Sequence, residues 1–208
     1  MSKSRMDSRV VMSRMDYEIL RRVHERAVSI GLGDEELSFL MGKRNKYFFD
    51  LLDPTDKDKL KTEQLDVLPV ILGVGIRDLV PNEISPGEDV IIYGYKRVTA
   101  TKIVYRHCVR YHNGQESGTV VWSKRVIRGV RRKLNLVLHK AVVEFLDEGY
   151  FDVHRSALEL YIELNAAGLV FTPSDLQKSL SVLMNRKRSL PVSLKCESLH
   201  SRYYYIRA

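Results

Sequence analysis

Ser174, Gln177, Lys178, Ser181 and Asn185 recur at spacings that place them within one arc of about 100° on a helix. Leu176, Leu180 and Leu183 take the opposite side of that helix. Small hydroxyl, amide and cationic side chains on one exposed face are the groups that reach base edges in a major groove. Arg186, Lys187 and Arg188 follow directly, and Arg202 lies beyond the next turn, where cations would meet phosphates. The bland alternative is a solvated polar face on an ordinary amphipathic helix.

Other residues invite catalytic or metal chemistry and do not sustain it. His107 and Cys108 are adjacent in a β-type run, so they point to opposite faces, while Cys108 and His112 share a face about 13 Å apart. That is too far for a shared ion, and ordinary strand residues are expected. Gly73-Val74-Gly75 lacks the third glycine of a dinucleotide loop, and His112-Asn113-Gly114 reads as a turn. With no paired carboxylates and no Ser/His/Asp or Cys/His spacing, the expectation is a non-enzyme without cofactor or metal.

The elements that would position the polar arc are well marked. Thr172-Pro173-Ser174-Asp175 supplies a capping hydroxyl, a proline at the first helical position and an acid in the first turn. Before it, Leu134, Leu138, Ala141, Val142 and Phe145 form one helical stripe from Arg131 onward. A second helix over about 155–165 is carried by Leu158, Tyr161 and Ile162. After the third helix, Val192–Cys196 and Arg202–Arg207 read as strands. The segment 131–208 resembles the winged-helix domains of bacterial transcriptional regulators, and Ser201-Arg202-Tyr203-Tyr204-Tyr205-Ile206 resembles the strand that ends their wing.

The N-terminal half carries a second resemblance. Gly31 to Gly42, with Leu37, Ser38, Met41 and Gly42 at its apolar, small and turn positions, is similar to the second helix of the lambda-repressor-like (Cro/Xre) helix-turn-helix family. The resemblance implies that Arg44, Asn45 and Lys46 lie at recognition-helix positions. The sequence departs from that pattern at Gly33 and Asp34, where the family commonly has a serine cap and a phosphate-supporting glutamine.

Net charge follows the same division. The chain of 208 residues carries a formal +8. Residues 1–14 contribute +3, 15–80 contribute −3, 81–123 contribute +1 and 124–208 contribute +7. Excess positive charge in the last third favours an anionic partner such as double-stranded DNA. Two cysteines cannot build a disulfide framework, no signal peptide opens the sequence, and no apolar run could span a bilayer. A cytoplasmic protein with no membrane partner is expected, and a homodimer is left open.

The expected fold is α+β in four parts. They are a flexible tail over 1–14, a helical helix-turn-helix-like domain over 15–80, a linker and β-hairpin segment over 81–130, and a winged helix over 131–208. The helical part comprises one helix ending at Gly31, a second through Leu37 to Met41, a third over about 45–52, and a fourth over about 58–72 kinked by Pro69. The expected function is that of a DNA-binding regulator of bacterial or phage type, reading DNA with its C-terminal domain. A protein-interaction or scaffold role for the same folds is the alternative.

Overall fold

Val10 and Met12, two residues apart near the N-terminus, are buried while Arg9 and Val11 between and beside them are exposed. That alternation marks a strand. In the computed structural model, which describes residues 8–56, 58–85, 87–125, 133–184 and 193–208, Ser8–Ser13 forms β1. A flexible tail was expected there. The pairing partner that orders this stretch, Asp89–Gly94, lies far downstream and leaves no local signal.

α1 (Arg14–Ser29) follows without a break, then α2 (Asp34–Leu40), α3 (Tyr47–Leu51), α4 (Leu68–Leu72) and α5 (Ile76–Leu79). Next come β2 (Asp89–Val98), β3 (Lys102–Arg110) and β4 (Val120–Arg125). The remainder runs α6 (Leu136–Asp147), β5 (Arg155–Ser156), α7 (Ala157–Ala166), α8 (Pro173–Leu183), β6 (Leu194–Leu199) and β7 (Arg202–Arg207). The fold is α+β, with two antiparallel sheets among the described residues.

These elements form two compact units, and each draws on two stretches of chain. One unit takes Met1–Leu32 with Phe48–Val130; the other takes Gly33–Tyr47 with Arg131–Ala208. Residues 15–80, read from sequence as one helical domain, are therefore divided, and α2 belongs with the C-terminal third.

In the first unit the sheet order is β1-β2-β3-β4. Its inner face carries Val10, Met12, Val90, Ile92, Tyr105, His107, Val109 and Trp122, all buried. α1 packs beside β1, β2, α4 and α5, burying Tyr17, Leu20, Val23 and Ala27 at helical spacing. The long fourth helix is reduced to Leu68–Leu72, preceded by a 3₁₀ turn at Thr62–Gln64. Pro69 explains the loss. Lacking an N–H, it fits only the first turn of a helix, so the helix begins beside it rather than running through it. Gly94 sits on the inner face where a Cβ would come within 2.9 Å of the Arg106 carbonyl oxygen, His107 Cβ and Pro54 Cβ.

In the second unit the sheet order is β5-β7-β6. Asn135 caps α6 through its side-chain oxygen, which accepts from the Leu138 N–H at 3.1 Å, so the helix starts at Leu136 instead of Arg131. Ser156 and Glu159 form the capping box of α7, with Ser156 N–H donating to Glu159 at 2.7 Å. The apolar stripe of α7 differs from expectation. Ala157, Leu160 and Leu164 are buried with Leu158, whereas Ile162 is 44% exposed. α7 packs on β5 and β7 of the small sheet, α6 and α7 pack on α8, and α2 packs on α7 and α8 with Leu37 and Leu40 buried.

Candidate nucleic-acid interface

α8 begins where its sequence says it should. Thr172 Oγ1 accepts from the Asp175 N–H at 3.2 Å, Asp175 accepts from the Thr172 N–H at 3.0 Å, and Pro173 occupies the first turn. Leu176 and Leu180 are buried in the core of the unit. Behind the helix, buried Ser179 holds His139 through a 2.8 Å hydrogen bond, and burial lowers the pKa of that imidazole.

The opposite face is narrower than the sequence suggested. Ser174 is 8% exposed and donates to a Glu36 oxygen of α2 at 2.6 Å. It is a packing residue, and a base edge could not reach it. Gln177 donates its amide to Asn45 Oδ1 at 2.7 Å. Lys178 is half-buried and Ser181 is exposed on the same side. Asn185, Arg186, Lys187 and Arg188 lie outside the described residues.

Arg44, Asn45 and Lys46 are not on a recognition helix. They occupy the exposed turn that follows α2 and precedes α3. The cause is Gly42, whose φ of 67° takes the chain out of the helix. There is no room for a side chain either: a Cβ on Gly42 would lie 3.2 Å from Arg202 Cβ and from the Tyr203 nitrogen. The turn is pinned at both ends. Tyr203 N–H donates to the Gly42 carbonyl at 2.8 Å, and Lys43 Nζ donates to the Ser201 carbonyl, so the turn is tied to the β6–β7 hairpin. Asn45 ties it to α8. The hairpin itself reverses at His200 and Ser201, with φ of 48° and 61°, the left-handed pair that suits a two-residue connection.

Two sets of residues that the sequence kept in separate domains thus share one surface. It holds Lys43, Arg44 and Lys46 from the turn, Lys178 from α8 and Arg202 from the start of β7. Gly42 to Lys46 contains three cations and no acid. The sequence reading missed Lys43 and the joining of the sets; Gly42 followed by a basic tripeptide around Asn45 was the available signal. Among the described residues, no group of three or more His, Cys, Asp or Glu could hold a metal ion, and no helix is long and apolar enough to cross a membrane. Comparisons of the chain with protein-family models, curated proteins and solved structures returned no match.

Proposed function

We propose that the unit built from Gly33–Tyr47 and Arg131–Ala208 is a winged helix-turn-helix that binds duplex DNA, in a transcriptional regulator of bacterial or phage type. The observation that carries this reading is the hydrogen bond from Gln177 to Asn45, which unites the two residue sets whose chemistry suits DNA. The order α6-β5-α7-α8-β6-β7, with β7 between β5 and β6, supports it, since a winged helix needs a reader helix followed by a hairpin. In this role Lys178 and Ser181 face base edges, while Arg44, Lys46 and Arg202 meet phosphates. Gln177 acts through Asn45 by holding the basic turn against α8.

A salt-titrated mobility shift with random duplex fragments tests the reading. Arg44→Glu with Lys46→Glu should lower affinity across all sequences and flatten the salt dependence by about 1.8 in slope, at about 0.9 per lost phosphate contact. Absence of duplex binding at low salt would instead favour a protein-docking role. One observation speaks for that second reading: Leu136, Val137 and Val170 are 73%, 69% and 95% exposed on the same unit.

A further inference from the structure

The outer face of the four-stranded sheet has a composition that no single stretch of sequence displays. Register sets it. Arg9 of β1 lies opposite Tyr93 of β2, Tyr95 lies opposite Arg106 of β3, and Arg106 lies opposite Val121 of β4. Alternation along β2 adds Arg97, and along β3 it adds Lys102 and Arg110. Arg9, Arg97, Lys102, Arg106 and Arg110 are all exposed, and both tyrosines are half-buried. The acids are few and peripheral. Asp89 sits at the far end of β2, and Glu116, from the loop after β3, pairs with Arg110 at 2.6 Å. Arg110 also stacks over Tyr93, its guanidinium carbon 5.1 Å from the ring centroid, and donates to the Tyr93 hydroxyl at 3.2 Å.

We infer that this face binds single-stranded nucleic acid, with the half-exposed rings of Tyr93 and Tyr95 as stacking platforms for bases and Arg9, Arg97, Lys102 and Arg106 as the phosphate track, while Arg110, paired with Glu116, braces Tyr93. Aromatic rings set among cations on an open sheet are what an unpaired strand requires, because each base offers a flat face and each linkage a negative charge. Spacing decides against a duplex. Tyr93 and Tyr95 are separated by two strand residues, about 6.7 Å, whereas stacked bases in a duplex repeat at about 3.4 Å per strand. Successive bases can meet both rings only when they are unstacked from one another. This surface lies wholly in the first unit, so it is a separate activity from the duplex binding proposed for the second.

The test uses the full chain, a fluorescein-labelled oligothymidylate and an oligouridylate of about twenty nucleotides, and a duplex of equal length, read by anisotropy from about 50 mM salt upward. Tyr93→Leu with Tyr95→Leu should weaken single-strand binding by about twentyfold or more and leave duplex affinity within about twofold. Arg97→Glu with Arg106→Glu should weaken it too and reduce its salt slope by about 1.4, at about 0.7 per lost contact on a single strand. Lys46→Ala with Lys178→Ala should weaken duplex binding alone, so failure of the regulator reading is distinguishable from failure of this one. The two oligonucleotides differ in the 2′-hydroxyl and in the C5 methyl of the base, so a preference for one would show that one of these groups is read and would support the proposal. Thermal melting checks that each variant is folded; if the tyrosine pair is not, the exposed arginine pair decides. No binding of either single strand at about 50 mM salt, or equal losses on single strand and duplex in the tyrosine variant, would overturn it.

Discussion

The two basic surfaces of this protein arise by opposite routes. The surface on the second unit rests on α8, where one helix turn after another places Lys178 and Ser181 together, and helical periodicity made that face readable in sequence. The surface on the first unit is assembled from β1, β2 and β3, and Arg9 meets Tyr93 across 84 positions of chain. Counted by segments, residues 81–123 carry only +1. Folding sorts that nearly neutral stretch, turning Arg97, Lys102 and Arg106 outward while Asp89 and Glu116 stay at the margins. Charge totals along a chain therefore find helical surfaces and overlook those made by strand pairing.

Acid should act on both units in the same direction, through buried His107 in the first and His139 in the second, and more strongly on the first. His107 is fully buried beneath the sheet, 3.3 Å from the Tyr17 hydroxyl and against the Trp122 ring, and among the described residues its Nδ1 has no hydrogen-bond partner. Burial lowers its pKa to about 4. An unfolded histidine titrates near 6.5, so between about 6.5 and 4 the unfolded chain holds more protons than the folded one. Stability falls as pH drops through that window, by as much as about 3 kcal/mol, and the effect vanishes above about pH 7. Denaturant melts of the native chain and of His107→Gln at several pH values check this: the variant should lose most of the slope, and parallel curves would refute the assignment.

Two glycines offer a sharper division. Gly94→Ala forces a methyl group against backbone oxygen and two Cβ atoms in the first unit, at a cost of about 2–3 kcal/mol. Gly42→Ala strains a positive φ and crowds β7 in the second, at a cost of about 1–3 kcal/mol. The first should depress single-strand binding and the second duplex binding, each without the other. If either substitution lowered both equally, the surfaces would not be independent.

The smallest expected effect tests the start of α8. Thr172→Ala removes the cap and should cost about 1 kcal/mol in stability, with duplex affinity reduced in proportion to the fraying of the first turn. A thermal melt and an anisotropy titration of the same variant measure both. An unchanged melting midpoint would mean that Pro173 and tertiary packing alone fix this end.

What was legible in the sequence was local. The Thr172–Asp175 cap, the strand at Arg202–Arg207 and the opposite orientations of His107 and Cys108 all follow from neighbouring residues. What was illegible depended on partners elsewhere. Two stripes of α7 satisfy helical spacing equally well, Leu158 with Tyr161 and Ile162 or Ala157 with Leu160 and Leu164, and the packing of the unit buries the second and keeps only Leu158 of the first. The second-helix signature around Leu37 to Gly42 did mark a helix and its turn, but could not say which unit would bury it. Arg44, Asn45 and Lys46 kept their exposure and lost their helix, because Gly42 ends α2 against the hairpin and not against a following helix.

The assignment of α2 to a unit completed only by the C-terminal stretch of sequence sets a schedule for biosynthesis. Glu36 and Ser174, joined in the finished protein, are 138 residues apart. At ribosomal rates of about 5–20 residues per second, α2 emerges roughly seven to thirty seconds before the helix it packs on. During that interval Leu37, Leu40 and Met41, all but buried in the folded chain, have no completed unit to enter. The nascent polypeptide thus carries an early apolar segment that must be kept from aggregation until α8 arrives, and a chain stalled before Thr172 would remain in that state.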